Sequence, residues 1–525
     1  MGTKRTISTD DLYRTLKVHD EEILKHFNDE SIDDQTYLFY AINSDIISNA
    51  LSVVIAYESN NIDSIGVDNC CRTIIEAFLV MKMRTVGDIS DEQAKIFRYH
   101  YAIVDMSNMK KFVDEYSKQS DDFKYVDRDR ERAYEAIMSF HKCAKKDLKN
   151  DPDLDDSNFY LKKKLGEKIK YSELIRKYQL FDVNTTQMYE FFSIFVHPRF
   201  EIDSEIEKML RKIRFSYIQK VLDYVVEYLK GCKLFVLDDS LKTFKQDFYE
   251  RPELKNNVGN INDIHRVFEI LEKKVCILPD GTDNFTCFFL RTMDSIITDM
   301  MVSMSLGYRE HIISLFKSVF EYIAVYFCVN EFEYDVFKDI KMAYCYSSRI
   351  QINNLAEKMK LPSMFGEETI SGLKEIFEKY YKKEYGIVNY EKFLDNVTHN
   401  ARYFLNKDNS SFNSIVNKLL NDLFDDPIER EYTKLIYRVS KDMNHGGGYA
   451  FNSSPGLVDS MCRHAQNAIY KFMMKNIIAA EHTLKEHGIN VDLSLEYLVF
   501  QLLSKNEEEE IEKTNKAYLT GKKPA

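Results

Sequence analysis

The sequence predicts an all-α protein made of two homologous helical bundles arranged as a pseudo-dimer. Apolar residues recur at three-to-four-residue intervals in DIISNALSVVIAYES, RTIIEAFLVMKM and IRFSYIQKVLDYVVEYLK, which is the period of one helix face. No stretch shows sustained strand alternation separated by hairpin turns. Pieces of the first half return, in order, in the second half. At 525 residues the chain exceeds one ordinary domain, and its 44% hydrophobic and 30% charged residues suffice for substantial cores.

The repeat sets the domain boundaries. CRTIIEAFLVMKM carries Arg72 and Glu76, and FKSVFEYIAVYF carries Lys317 and Glu321 at the same spacing 245 positions on. Tyr99 and Tyr101 of FRYHY meet Tyr344 and Tyr346 of MAYCY at that offset; YEFFSIFVH at 189–197 meets YRVSKDMNH at 437–445, and MLR at 209–211 meets MCR at 461–463. One copy therefore spans 30–232 and the other 275–487, with an N-terminal helical extension over 1–29 and a C-terminal extension over 488–525. Between the copies, 233–274 is partly polar and holds Pro, Gly and Asn turn signals, which predicts a connector with a short helix.

Composition narrows the function classes. A formal net charge of -12 disfavours broad attraction to polyphosphates but leaves room for a local basic site. The densest basic stretches are LKKKLGEKIK at 161–170 and the group Arg211, Lys212 and Arg214, read as solvated helix faces. The acidic run Glu507 to Glu510 reads as a frayed, exposed helix. Nine cysteines form no CxxC ladder and no Cys/His cluster of zinc spacing, so no metal, cofactor or thiol chemistry is expected, and a reducing cytoplasm is the simpler home. The start of the chain lacks a signal-peptide core, and its apolar runs look too short to span a membrane. Phosphate-binding glycine loops, a dinucleotide fingerprint and HExxH are all absent from the sequence.

The candidate site lies in YRVSKDMNH. Arg438 and His445 are seven residues apart and so share one helical face, with Lys441 and Asp442 about a turn from each. Gly446 to Gly448 predict that the helix ends near His445. A histidine titrating near neutrality can accept the proton of a ribose 2'-hydroxyl or protonate the departing 5'-oxygen. An arginine can hold the scissile phosphate and stabilise its developing charge. Asn444 can help orient phosphate oxygens; Ser440 is less well placed for that. In the first copy His197 is retained and Pro198 follows it, but Glu190 stands where Arg438 would be. A lone terminal histidine can equally cap the last carbonyls of a helix.

Arg438-x6-His445 near the end of a bundle helix resembles the RX4-6H motif of HEPN ribonuclease domains, toxins and RNA-cleaving modules of prokaryotic defence. The wider pattern, R-x-x-x-E in an apolar helix and then Y-x7-H-P, is similar to an uncharacterised family of bacterial HEPN-like helical proteins. The resemblance implies metal-independent endoribonuclease activity without a cofactor, with two motifs facing each other across a dimer interface. It carries the roles of phosphate clamp and acid/base onto Arg438 and His445. His197 becomes the second acid/base group of a composite site, or else two chains bring two Arg438/His445 sites together as a homodimer. An RNA substrate, a regulatory protein and an antiviral role follow from the same resemblance, and no membrane is involved.

Arg72 with Glu76, and Lys317 with Glu321, sit one turn apart in highly apolar stretches and read as buried polar clasps, with ligand or RNA contact as the alternative. The four repeated tyrosines read as packing residues and His100 as an ordinary helix histidine. Whether the chain is an enzyme stays open at this level. An RNA-cleaving effector and a catalytically inactive scaffold or sensor that binds a protein partner both fit, with another small-ligand enzyme as a third class.

Overall fold

The computed structural model describes residues 12–19, 23, 32–58, 64–94 except 92, 170–195 except 182–183, 204–231, 258–275, 283–305, 310–330, 349–358, 368–382, 419–443 except 426, and 455–520 except 487 and 489. These residues are 91% helical and contain no strand, so the all-α class holds for them.

The first half contributes α1 (Asp34–Glu58), α2 (Ile65–Thr85), α3 (Tyr171–Lys177), α4 (Thr185–Phe195) and α5 (Ser204–Gly231). Asp33 caps α1 by accepting the Thr36 N–H at 2.9 Å and the Thr36 hydroxyl at 2.7 Å. Ser64 caps α2 by accepting the Gly66 N–H at 3.1 Å. α2 is buried along nearly its whole length because α1, α4 and α5 all pack against it. A buried bidentate pair ties α5 to α2: Arg214 donates from Nε and Nη2 to the two carboxylate oxygens of Asp68, each at 2.9 Å. Arg211 and Lys212 are exposed as expected, whereas Arg214 is neutralised inside the fold rather than solvated.

The rest of the chain contributes α6 (Val258–Val275), α7 (Asp283–Ser305), α8 (Glu310–Asn330), α9 (Glu368–Ile376, continued by a π-helical turn over Phe377–Tyr381), α10 (Pro427–Met443), α11 (Pro455–Glu486) and α12 (Ser494–Thr520). α8 is central here as α2 is in the first half: α7, α10 and α11 pack against it. The hairpins α1–α2 and α7–α8 also touch each other. Gly66 sits at that contact, where a Cβ would fall 2.1 Å from Cδ2 of Leu315 in α8, so any larger residue would force the Leu315 side chain to shift.

Three elements differ from their sequence expectation. The helix of the 233–274 segment is not short: α6 runs to Val275, buries Ile264, Val267, Phe268 and Leu271, and packs on α7 and α12. The acidic run is no frayed end, because Glu507 pairs with Arg463 at 3.4 Å and Glu508 with Lys471 at 3.1 Å as α12 lies along α11. Finally, the helix Asp34–Tyr57 is long and apolar enough to cross a membrane by length and composition, although its apolar window is 78% buried in the protein. The polar residues Asn43, Ser44, Asp45, Asn49 and Ser52 divide it into short apolar runs in the sequence and are themselves buried.

Cys70, Cys71 and Cys462 are buried thiols that form no disulfide among the described residues. Burial pushes the thiols of Cys70 and Cys71 well above their ordinary range, so both are inert packing residues.

Candidate functional site

α10 begins with Pro427, tolerated at a first helical turn, and carries Glu429 where the helix N-terminus favours a negative charge. Thr433, Ile436, Tyr437 and Ser440 form its buried side, and Leu435, around the helix next to Glu431, is buried as well. Two polar contacts fasten that side to α8: Tyr437 donates its hydroxyl to Oε1 of Glu321 at 3.2 Å, and Ser440 Oγ accepts the backbone N–H of Lys317 at 2.6 Å. Phe320 of α8 packs on both Tyr437 and Phe472 of α11, with ring centroids 5.2 and 5.0 Å apart. The opposite side carries exposed Glu431, half-buried Lys434 and buried Leu435, and by helical register position 438 falls among these three.

Arg438, Lys441 and Asp442 thus lie within α10, with their side chains outside the description. Asn444 and His445 lie outside the described residues, as do His197, Pro198, Arg199, His100, Tyr99, Tyr101, Tyr344 and Tyr346.

The other four candidates are placed. In the first half Arg72 donates from Nε to Oε1 of Glu76 at 2.9 Å, and Tyr189 of α4 donates its hydroxyl to the same oxygen at 3.0 Å. The Arg72 guanidinium also stands over the Tyr189 ring, 5.9 Å from its centre. All three residues are buried. Burial opposes the charge of Arg72, yet the Glu76 carboxylate and the Tyr189 hydroxyl together hold its pKa raised. Burial and then the Glu76 charge push the Tyr189 phenol upward. In the second half Lys317 and Glu321 are likewise buried, and Tyr437 stands to Glu321 as Tyr189 stands to Glu76. These carboxylates are the inner partners of a tyrosine on the neighbouring helix, in keeping with a polar clasp.

Asp45 of α1 belongs to the same interior and went unnoticed in the sequence. It is buried, and Asn49 donates to its Oδ1 at 3.0 Å. Burial, reinforced by the charge of Glu76, raises its pKa well above the usual carboxylate range, against the smaller pull of the Asn49 amide. The tyrosine partners were visible in the sequence only as the first letters of the two repeated nonapeptides.

Glu190, which occupies the arginine position of the first copy, pairs with Lys358 at 3.2 Å, and Gln187 donates to the Lys358 carbonyl at 3.4 Å. The outer side of α4 is therefore tied to the helix at 349–358. A cavity lined by Leu271, Phe289, Tyr326, Met473 and Leu493, with Asn476 as its polar residue, is bounded by neither clasp. Among the described residues no group of three His, Cys, Asp or Glu side chains is arranged to hold a metal ion.

No protein-family model, curated protein or solved structure matches the chain. The HEPN-like resemblance accordingly rests on the motif and on the repeated helical pattern.

Proposed function

We propose that the chain is a metal-independent endoribonuclease effector of the HEPN-like type, built from two homologous helical bundles arranged as a pseudo-dimer. Arg438 clamps the scissile phosphate, and His445 exchanges protons with the 2'-hydroxyl and the leaving 5'-oxygen, with His197 or a second copy's histidine as the other acid/base group. The observation that carries this reading is the anchoring of α10. Tyr437 and Ser440 fasten one side of that helix to Glu321 and Lys317, and position 438 lies around the helix from that side, with Glu431, Lys434 and buried Leu435. The duplication is supported by the matched Glu76–Tyr189 and Glu321–Tyr437 contacts. Such an activity acts in the cytoplasm of a bacterial host and needs a regulatory partner to restrain it.

A second reading, a catalytically inactive scaffold or sensor that binds a protein partner, draws on the Glu190–Lys358 pair. A position that would hold a phosphate clamp is there used to tie α4 to another helix.

Purified protein in EDTA, incubated with mixed cellular RNA, distinguishes the two. The parent is expected to cleave, while Arg438→Ala and His445→Ala, each verified as folded, lose activity by at least about a hundredfold. Equal cleavage by all three proteins removes these residues from the chemistry, and no cleavage by the parent favours the scaffold.

A further inference from the structure

α6 is held in the second half by an apolar side and by polar contacts to α7 and α12. Ile264, Val267, Phe268 and Leu271 are buried, and the Phe268 ring meets Phe500 of α12 edge-on with centroids 5.8 Å apart. Toward its end Glu272 pairs with Arg291 of α7, and Lys274 with Glu496 of α12, each at 2.6 Å. Nearer its start the polar contact is of another kind. Nδ1 of His265 stands 2.8 Å from both carboxylate oxygens of Asp294 in α7, and Nε2 faces the hydroxyl of Thr298, one turn further along α7, at 3.3 Å. The imidazole is 42% exposed, so protons reach it while the helix stays docked.

Both ring nitrogens keep a partner in either charge state. The neutral ring donates from Nδ1 to Asp294 and accepts the Thr298 hydroxyl proton at Nε2, whereas the cation donates from both and sets a positive charge beside the carboxylate. One geometry therefore serves two strengths of tie.

We propose that His265 and Asp294 form a pH-sensitive clasp, which holds α6 to α7 firmly below neutral pH and lets the helix loosen above it. The charges facing the ring set this direction. Asp294 comes from α7, and Glu269, with Lys273 3.7 Å away, stands one turn along α6. α12 turns Phe500 and Glu496 to α6, and Glu496 meets it at Lys274, about two and a half turns from His265. Arg266 is exposed and lies about 100° round the helix from the ring. The hydrogen bond to Asp294 raises the pKa of His265 above its ordinary 6.5, against the smaller pull of burial, and the charges of Asp294 and Glu269 add to the rise. The stabilisation is then complete below about pH 6.5 and is lost as pH rises through the folded value. What α6 covers is apolar: Phe268 lies on Phe500, and Leu271 walls the cavity that Phe289 and Asn476 also line. RNA cleavage plays no part in this clasp.

Hydrogen–deuterium exchange of the full-length chain at pH 6 and at pH 8, with each rate divided by the intrinsic rate at that pH, reports how often α6 opens. Peptides from 258–275 are expected to lose protection by about two- to fivefold at the higher pH, the range of a partly exposed ion pair, while peptides from α11 change less. His265→Gln keeps a hydrogen-bonding side chain that does not titrate, and Asp294→Asn keeps the shape of the partner without its charge. Each is verified as folded by circular dichroism and Tm, and in each the difference between α6 and α11 is expected to shrink or vanish. An α6 equally protected at both pH values in the parent, a loss of the same size in α11, or a loss that persists undiminished in both variants would each overturn the proposal.

Discussion

Tyr437 donates its hydroxyl to Glu321 across 3.2 Å, joining α10 to the apolar interior of α8. Tyr189, which begins the matching nonapeptide, does the same to Glu76 across 3.0 Å. Each tyrosine satisfies a carboxylate that has no access to water, so each contact is costly to remove.

Tyr437→Phe and Tyr189→Phe are therefore expected to lower stability by similar amounts, about 1–3 kcal/mol each. Denaturant titration measures this directly. If α10 carries the reaction, the two variants part company in RNA cleavage: at a temperature where both stay folded, only Tyr437→Phe loses a substantial fraction of activity. Equal losses would mean that the tyrosines act through global stability alone.

The Arg72–Glu76 pair sits on a third contact, with Tyr189, inside the first half. Removing one partner strands a buried charge, so Arg72→Met is expected to cost about 3–5 kcal/mol. Arg72→Met combined with Glu76→Leu removes both charges and should recover much of that loss. A double variant as unstable as the single one would show that packing rather than charge is being lost.

Asp45 predicts a pH dependence with a definite sign. Its folded pKa is raised, chiefly by burial, above the ordinary value of 3.8. The native state then holds the proton more tightly than the unfolded chain, so this stabilisation is complete below about pH 3.8 and is lost as pH rises toward the folded value. Asp45→Asn keeps the shape and cannot ionise. It is expected to raise Tm at neutral pH and to flatten the fall in stability on the alkaline side of the carboxylate range. Thermal melts of parent and variant from pH 4 to pH 8 decide it, and parallel curves would mean that Asp45 does not titrate in the fold.

Gly66→Ala drives a methyl group into Leu315 and is expected to cost about 1–3 kcal/mol through overpacking. Shortening the neighbour with Leu315→Ala in the same chain opens space for it. The double variant should then lose less than the two single losses added together, a coupling that a double-mutant cycle reads.

The all-α class was legible because α2, α5, α8 and α11 carry long periodic apolar stripes whose period survives in the bare sequence. Short likenesses outside the matched segments were less legible. Asp11-Leu12-Tyr13-Arg14-Thr15-Leu16 resembles Asp263-Ile264-His265-Arg266-Val267-Phe268. Leu12 and Leu16 are buried, as are Ile264 and Phe268. With one arginine, one aspartate and only similar apolar residues in common, the match is too short to stand out until both segments are seen to be helices.

The Arg72–Glu76 contact was foreseen as a helical pair one turn apart, but the tyrosine partners of Glu76 and Glu321 lie more than a hundred residues away in the chain, where spacing rules give no guidance. Asp45 was hidden for a related reason. An aspartate in a mixed polar and apolar run reads as surface until the neighbouring helices enclose it. In the candidate site itself, the division of α10 into an anchored side and an outer side follows from its amphipathic pattern. That Tyr437 and Ser440 fasten it depends on which residues of α8 stand opposite.

The notch at Gly66 is filled by the ridge at Leu315, and the two do not resemble each other. Counting 245 positions along the repeat, the residue matching Gly66 is His311 and the one matching Leu315 faces back as Cys70. A polypeptide severed between Gly231 and Val258 would leave that notch and that ridge on separate pieces.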